Sequence, residues 1–134
     1  ERNPLRGVLS FRVCTQSNLQ SLFRIADVCL LPSLMEGISL SLLEAMNAGC
    51  FVITTKVGGS SEIIKHQVSG YLIKPKSAFS IIDALRNFEL LSVHKKRKII
   101  ANAKKMMKQD FSNRKMIQSY QHLFLTFAKK YENK

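Results

Sequence analysis

Acidic side chains are scarce in this 134-residue chain: 9 Asp and Glu stand against 21 Lys and Arg, a formal net charge of +12. Cysteine is scarce too. Cys14, Cys29 and Cys50 have no C-x-x-C spacing, and three cannot all pair with one another. Each lies in or beside an apolar run, so they read as small, reduced core residues of a cytoplasmic protein, not as a disulfide frame or a metal site. No apolar run approaches the roughly 18 residues that a membrane span needs. The opening Glu1-Arg2-Asn3-Pro4 carries no signal-peptide pattern and no Met, which reads as a piece of a longer polypeptide. No Asp-x-Asp metal motif occurs, and neither internal repeats nor low-complexity segments are visible.

What is present bounds the fold. The hydrophobic fraction of 46% is that of a globular chain, and the length suits one domain with a real core. The charge is unevenly placed. Up to Gly70 the Lys and Arg exceed the acids by only one, whereas the remainder carries 15 Lys and Arg against 4 acids.

One stretch organises the chain. The apolar run Val28-Cys29-Leu30-Leu31 reads as a buried parallel strand. The chain then turns through Pro32, Ser33 and Gly37 and resumes as a helix over Leu40 to Ala48. Gly49 stands where a left-handed C-cap belongs, and the strand-like run Phe51 to Thr55 follows. Such a unit places its loop and helix N-terminus at the carboxyl edge of a sheet, where open α/β folds bind ligands. Unpaired N–H groups of Gly37, Ile38, Ser39 and Leu40 would favour a phosphate there. Glu36 in the loop and Glu44 in the helix can face the same crevice, and each carboxylate can bind two neighbouring hydroxyls. Phosphate and sugar hydroxyls together describe a nucleotide or sugar-phosphate ligand; solvated surface positions are the plain alternative for both glutamates. A second loop, Lys56 to Glu62, contains Gly58-Gly59, which permits close approach of a ligand or merely a turn.

The flanking segments complete the pattern. Val8 to Val13 has strand composition, Asn18 to Ala26 reads as a helix capped by Thr15 or Ser17, and Asp27 leads into the next strand. Glu62 to His66 is expected as a short helix with His66 solvated at its end, and Gly70 to Ile73 as a last strand stopped by Pro75. Three helical stripes follow: Ala78, Ile81, Ile82, Leu85 and Phe88; Ile99, Ile100, Ala103, Met106 and Met107; and Met116, Ile117, Tyr120, Leu123, Phe124, Phe127 and Tyr131. Spacings of three and four make these core-facing by default. The expected architecture is α/β, a Rossmann-like parallel sheet over about residues 8–75 with a helical tail over 76–134. The seven basic residues from Lys95 to Lys108, with no acid between them, fit a solvated helix face, an anionic membrane surface or a nucleic acid. No aromatic side chains interleave with them, which argues against single-stranded nucleic acid.

Ala26-Asp27-Val28, Pro32-Ser33, Glu36-Gly37, Leu42-Leu43-Glu44-Ala45-Met46, Ala48-Gly49, Val57-Gly58-Gly59, Glu62-Ile63-Ile64 and Gly70-Tyr71-Leu72 occur in one order. Together they resemble the C-terminal, donor-binding domain of family-4 type retaining glycosyltransferases with the GT-B fold. The resemblance implies half of a GT-B architecture, in which a sugar passes from a nucleotide diphosphate sugar to an acceptor with retention and without metal or other cofactor. It implies that Glu36 contacts donor-sugar hydroxyls as the catalytic-site carboxylate, that Glu44 holds the ribose, and that the loop of Gly58 and Gly59 borders the donor pocket, with the N–H groups of Gly37 to Leu40 placed for the diphosphate. The Arg and Lys that relatives place on the diphosphate belong upstream of this region and are not assigned to Arg6 or Arg12. Phe51 stands where relatives often have Pro. The acceptor-binding first domain is absent from the sequence, so the chain is expected to need that domain or a separate subunit and to be inactive alone. The closing helix would then lack part of its cover. The rival expectation is a non-catalytic interaction or membrane-surface module that keeps the fold, peripheral at the inner membrane face.

Overall fold

The computed structural model describes residue 13 and residues 15–132. The strand expected over 8–13 therefore lies outside the described residues except for Val13, which is exposed and not in a strand, and Cys14 also lies outside them. The elements run α1 (Gln16–Ile25), β1 (Val28–Leu31), α2 (Leu40–Ala48), β2 (Phe51–Thr55), α3 (Ser60–Ile63), β3 (Tyr71–Ile73), α4 (Ala78–Leu90), α5 (Val93–Asp110) and α6 (Asn113–Glu132). Among the described residues the sheet has three parallel strands in the order β1-β2-β3, with Val28 opposite Phe51 and Ile53 opposite Tyr71.

The central strand β2 is buried throughout, as a strand covered by helices on both faces must be. Its alternation splits the interior in two. Val52, with neighbouring Cys50, joins Phe23, Leu42, Met46, Ile63, Ile64, Ala103 and Met107 in one core. Phe51 and Ile53 point the other way, toward Tyr71, Ile73, Ala84 and Ile99. Phe51 is an anchor of that second core, edge-on to Tyr71 at 5.1 Å and tilted against Phe88 at 4.8 Å, so an aromatic fills what a Pro would leave open. By contrast β1 is only half-buried and its Leu30 is exposed, because it forms one margin of the described sheet; the expectation of a fully buried strand is corrected.

Local chemistry explains the helix ends. Gly49 closes α2 at φ 93°, donating its N–H to the carbonyls of Ala45 and Met46. The hydroxyls of Ser77, Ser92 and Ser112 accept the N–H groups of Ser80, Lys95 and Lys115 at 3.2, 3.3 and 3.3 Å, capping α4, α5 and α6. The helix expected over Glu62 to His66 instead occupies Ser60–Ile63. Ser60 Oγ lies within donating distance of the carbonyls of Thr55 and Val57, which draws the start forward, and Ile64 is already extended. His66 is exposed, as expected, but it ends no helix: it forms a parallel bridge with Gly70, and its Nδ1 accepts the Leu72 N–H at 3.0 Å, which ties it to β3.

The helical stripes are covered unequally. In α4 Ala84 is buried and Ile81, Leu85 and Phe88 pack on the second core, but Ala78 and Ile82 are exposed. In α5 Ile99, Ala103 and Met107 are buried as expected. In α6 the apolar face is bare: Met116, Ile117, Tyr120, Leu123, Phe124 and Phe127 are all at least half or nearly half exposed, Phe124 reaching 67%. Amphipathic spacing identifies the face of a helix that wants cover, and none of the described residues supplies it here. No helix among the described residues is long and apolar enough to cross a membrane.

Candidate functional site

The register of the sheet puts two loops side by side. β1 ends at Leu31 opposite Thr54, so residues 32–39 and residues 56–59 leave the same carboxyl edge. Two hydroxyls at the end of β2 hold the first loop in place. Thr54 Oγ1 donates to the Leu31 carbonyl at 3.0 Å and Thr55 Oγ1 to the Ser33 carbonyl at 2.5 Å. Buried and paired in this way, each hydroxyl contributes about 1 kcal/mol and would leave a stranded carbonyl if removed. Neither threonine stood out as a site residue in the sequence. The signal was there, in two polar residues at the carboxyl end of an otherwise apolar, fully buried strand.

The glycines have a partner within the chain. Gly59 N–H donates to the Gly37 carbonyl at 3.2 Å. A Cβ on Gly58, whose φ is +47°, would lie 1.7 Å from the Glu36 carbonyl oxygen, and one on Gly59 would lie 2.8 Å from the Gly37 carbonyl oxygen. The bare backbone at Gly58-Gly59 is thus required for the approach of one loop to the other, whatever a ligand adds. It brings Gly58 and Gly59 together with Glu36, Gly37 and Ile38.

Past that contact the first loop is open. Among the described residues no hydrogen bond uses the N–H of Gly37, Ile38, Ser39 or Leu40 as donor. Ser39 occupies the N-cap of α2 without a side-chain cap bond, and its carbonyl accepts the Leu43 N–H at 3.2 Å. Unpaired backbone donors at a helix start favour an anion. Around them Leu34, Met35, Ile38 and Leu40 are exposed, an apolar rim to a polar centre.

Glu44 sits one turn into α2 and is partly buried. Its Oε1 accepts a hydrogen bond from Gln16 Nε2 at 3.1 Å, which fixes the carboxylate against α1. It lines an open cleft of about 680 Å³ with Ile38, Leu40, Leu43, Phe111 and Met116, and a smaller one of about 180 Å³ with Gln20, Arg24 and Asn47. Glu36 lines neither cleft, so the two glutamates do not share one as expected; its backbone is the part that meets Gly58. Among the described residues no three His, Cys, Asp or Glu side chains cluster as metal ligands would.

Comparison with known proteins places this arrangement. The profile of the family described as Glycosyl transferases group 1 matches residues 8–106. The N-acetyl-alpha-D-glucosaminyl L-malate synthase of Bacillus anthracis is 31% identical over 110 residues, covering 81% of this chain and 28% of that protein. The C-terminal domain of a group 1 glycosyl transferase from Francisella tularensis superposes with a TM-score of 0.68 at 31% identity, covering 78% of this chain and 53% of the other. The Anabaena protein HepE, solved in complex with UDP-glucose, shares the fold with a TM-score of 0.71 at 23% identity, covering 88% of this chain and 31% of that one. The chain spans between 16% and 34% of the length of the curated relatives it matches. With its parallel sheet, its carboxyl-edge loops and the profile match over most of its length, this chain belongs to the group 1 glycosyltransferase family and has the fold of the C-terminal domain of GT-B enzymes.

Proposed function

We propose that this domain binds the nucleotide diphosphate sugar from which a retaining glycosyltransferase transfers its sugar. The observation that carries the reading is the run of four unpartnered N–H groups from Gly37 to Leu40, set at the carboxyl edge of the parallel sheet. Departure of a nucleotide diphosphate builds negative charge on the bridging oxygen, and preorganised donors lower the barrier to that step. Gly58 and Gly59 hold the loop so that these donors are already aimed before the ligand arrives. Glu36 takes hydroxyls of the donor sugar. Glu44, with one carboxylate oxygen held by Gln16, takes the ribose hydroxyls from the edge of its cleft. The diphosphate is met by backbone donors and not by a metal. Transfer requires an acceptor-binding domain, in the same chain or a separate subunit, and the exposed Leu34, Met35, Ile38 and Leu40 form a rim that such a domain would cover.

NMR titration with UDP, GDP and ADP tests the site, with UDP first because HepE binds a uridine nucleotide. Shift changes centred on residues 36–48 are expected for one of the three. A hydrogen bond to a charged group contributes roughly 1.5–3 kcal/mol, so Glu44→Ala is expected to weaken binding by roughly 10- to 100-fold. Nucleotide binding that ignores Glu44→Ala, or that maps elsewhere, would refute the assignment and leave a non-catalytic module as the better reading.

A further inference from the structure

The exposed side of α5 carries a cationic stripe, of which Lys104 rests its Cε and Nζ beside Gly49 at the end of α2. His94, Arg97, Lys98, Ala101, Lys104, Lys105 and Lys108 are all exposed and recur at spacings of three and four. They fall within about a third of the helix circumference and run about 21 Å along it. Ile99, Ala103 and Met107 occupy the opposite, buried side. Among the described residues none of Arg97, Lys98, Lys104, Lys105 and Lys108 forms an ion pair. Asp110, the sole acid of α5, is taken by Lys115 at 2.9 Å. The two remaining cations of the helix are placed differently: Lys95 lies off the stripe, and Lys96 turns inward with its Nζ 4.2 Å from the centre of the Phe88 ring. At the N-terminal end of the stripe Val93 is 63% exposed, one turn before Arg97, and Leu90, the last residue of α4 and three positions earlier in the chain, is 84% exposed.

We infer that this face of α5 docks on an anionic lipid bilayer, the cations lying over headgroup phosphates while Leu90 and Val93 enter the interface. Long lysine side chains on an outward, straight helix face match an extended charged plane. The adjoining pair of exposed apolar side chains fits a bilayer and is misplaced against a nucleic acid. The stripe holds no aromatic platform for bases, and the nearby Asn102 amide is committed to the Val68 carbonyl at 3.0 Å. The inference is independent of nucleotide binding, since the stripe lies on a different element from the loop at residues 36–40.

Vesicle co-sedimentation of the full chain tests it, with vesicles of phosphatidylcholine alone and of an equal mixture of phosphatidylcholine and phosphatidylglycerol. Each cation brought to an anionic surface strengthens binding by about fivefold, so K98Q/K105Q/K108Q is expected to weaken binding to the mixed vesicles by roughly 100-fold. The control K65Q/K74Q/K76Q removes equal charge from other surfaces and is expected to bind as the unaltered chain does. L90S/V93S is expected to weaken binding while keeping its salt dependence. Equal loss in the control, equal binding to uncharged vesicles, or tighter binding of a DNA duplex through the same lysines would overturn the inference.

Discussion

Two glycines at positive φ offer a paired experiment on the candidate site. Gly49 at φ +93° and Gly58 at φ +47° are both in the left-handed region, where an L side chain costs roughly 1–2 kcal/mol. Their surroundings differ. A Cβ on Gly49 would crowd Cε and Nζ of Lys104 at 2.7 Å, the movable end of an exposed side chain, and touch Ile100 Cγ2 at an ordinary 3.8 Å. A Cβ on Gly58 would meet the Glu36 carbonyl oxygen at 1.7 Å and its carbonyl carbon at 2.9 Å, neither of which can move without the loop. Gly49→Ala should therefore cost about 1 kcal/mol, from backbone strain alone. Gly58→Ala should cost the same strain plus a further 1–3 kcal/mol for overpacking. At roughly 3–5 °C per kcal/mol for a domain of this size, the second variant should melt some 3–15 °C below the first. Thermal unfolding measured by circular dichroism reads the difference, and nucleotide titration reads its consequence: Gly58→Ala should also lose affinity, because the displaced Glu36 backbone carries residues 37–40 with it. If the two variants melt together, the loops are not in backbone contact and the account of the site is wrong.

Other outcomes follow from the same geometry. Thr55→Val keeps the shape of β2 but strands the Ser33 carbonyl, and should cost roughly 1–3 kcal/mol in chemical denaturation; a neutral result would deny the hydroxyl its role in holding the loop. Ser92→Ala removes the α5 cap and should cost about 1 kcal/mol, with amide exchange accelerated in the first turn of that helix and not in α2. Burial, reinforced by nearby Cys29 and Asp27, pushes the Cys50 thiol up to about 11. The unfolded thiol ionises first as pH rises, so stability tied to this group is intact below about pH 9 and declines toward pH 11, by about 2 kcal/mol. Cys50→Ala should flatten that decline in denaturation curves taken across the window, and an unchanged slope would assign the effect to other groups.

Much of the site was legible because its elements are set by local chemistry. The bounds of α2 and β2 and the left-handed Gly49 follow from a turn, a short apolar period and a run of β-branched residues, and the structure places them as the pattern predicts. Partnership was harder to read. Gly58-Gly59 suggests room for a ligand, yet the nearest neighbour is the backbone of residues 36 and 37, which a sequence cannot set beside it. Thr54 and Thr55 look like ordinary strand residues until the register shows which carbonyls they reach. The start of α3 depends on one serine hydroxyl choosing between carbonyls, a matter of geometry and not of propensity. For α6 the period reports an apolar face correctly but says nothing of whether a neighbour covers it.

α5 sends Ile99 into the core on one side of the sheet and Ala103 and Met107 into the core on the other. The two interiors therefore share one helix as a common wall. A fluctuation that lifts α5 uncovers both at once, so neither half can open cheaply while the other stays closed, and the molecule should unfold as one cooperative unit despite its divided interior. The polar face of that helix is then free to carry charge of one sign, because its place in the fold is secured entirely from behind.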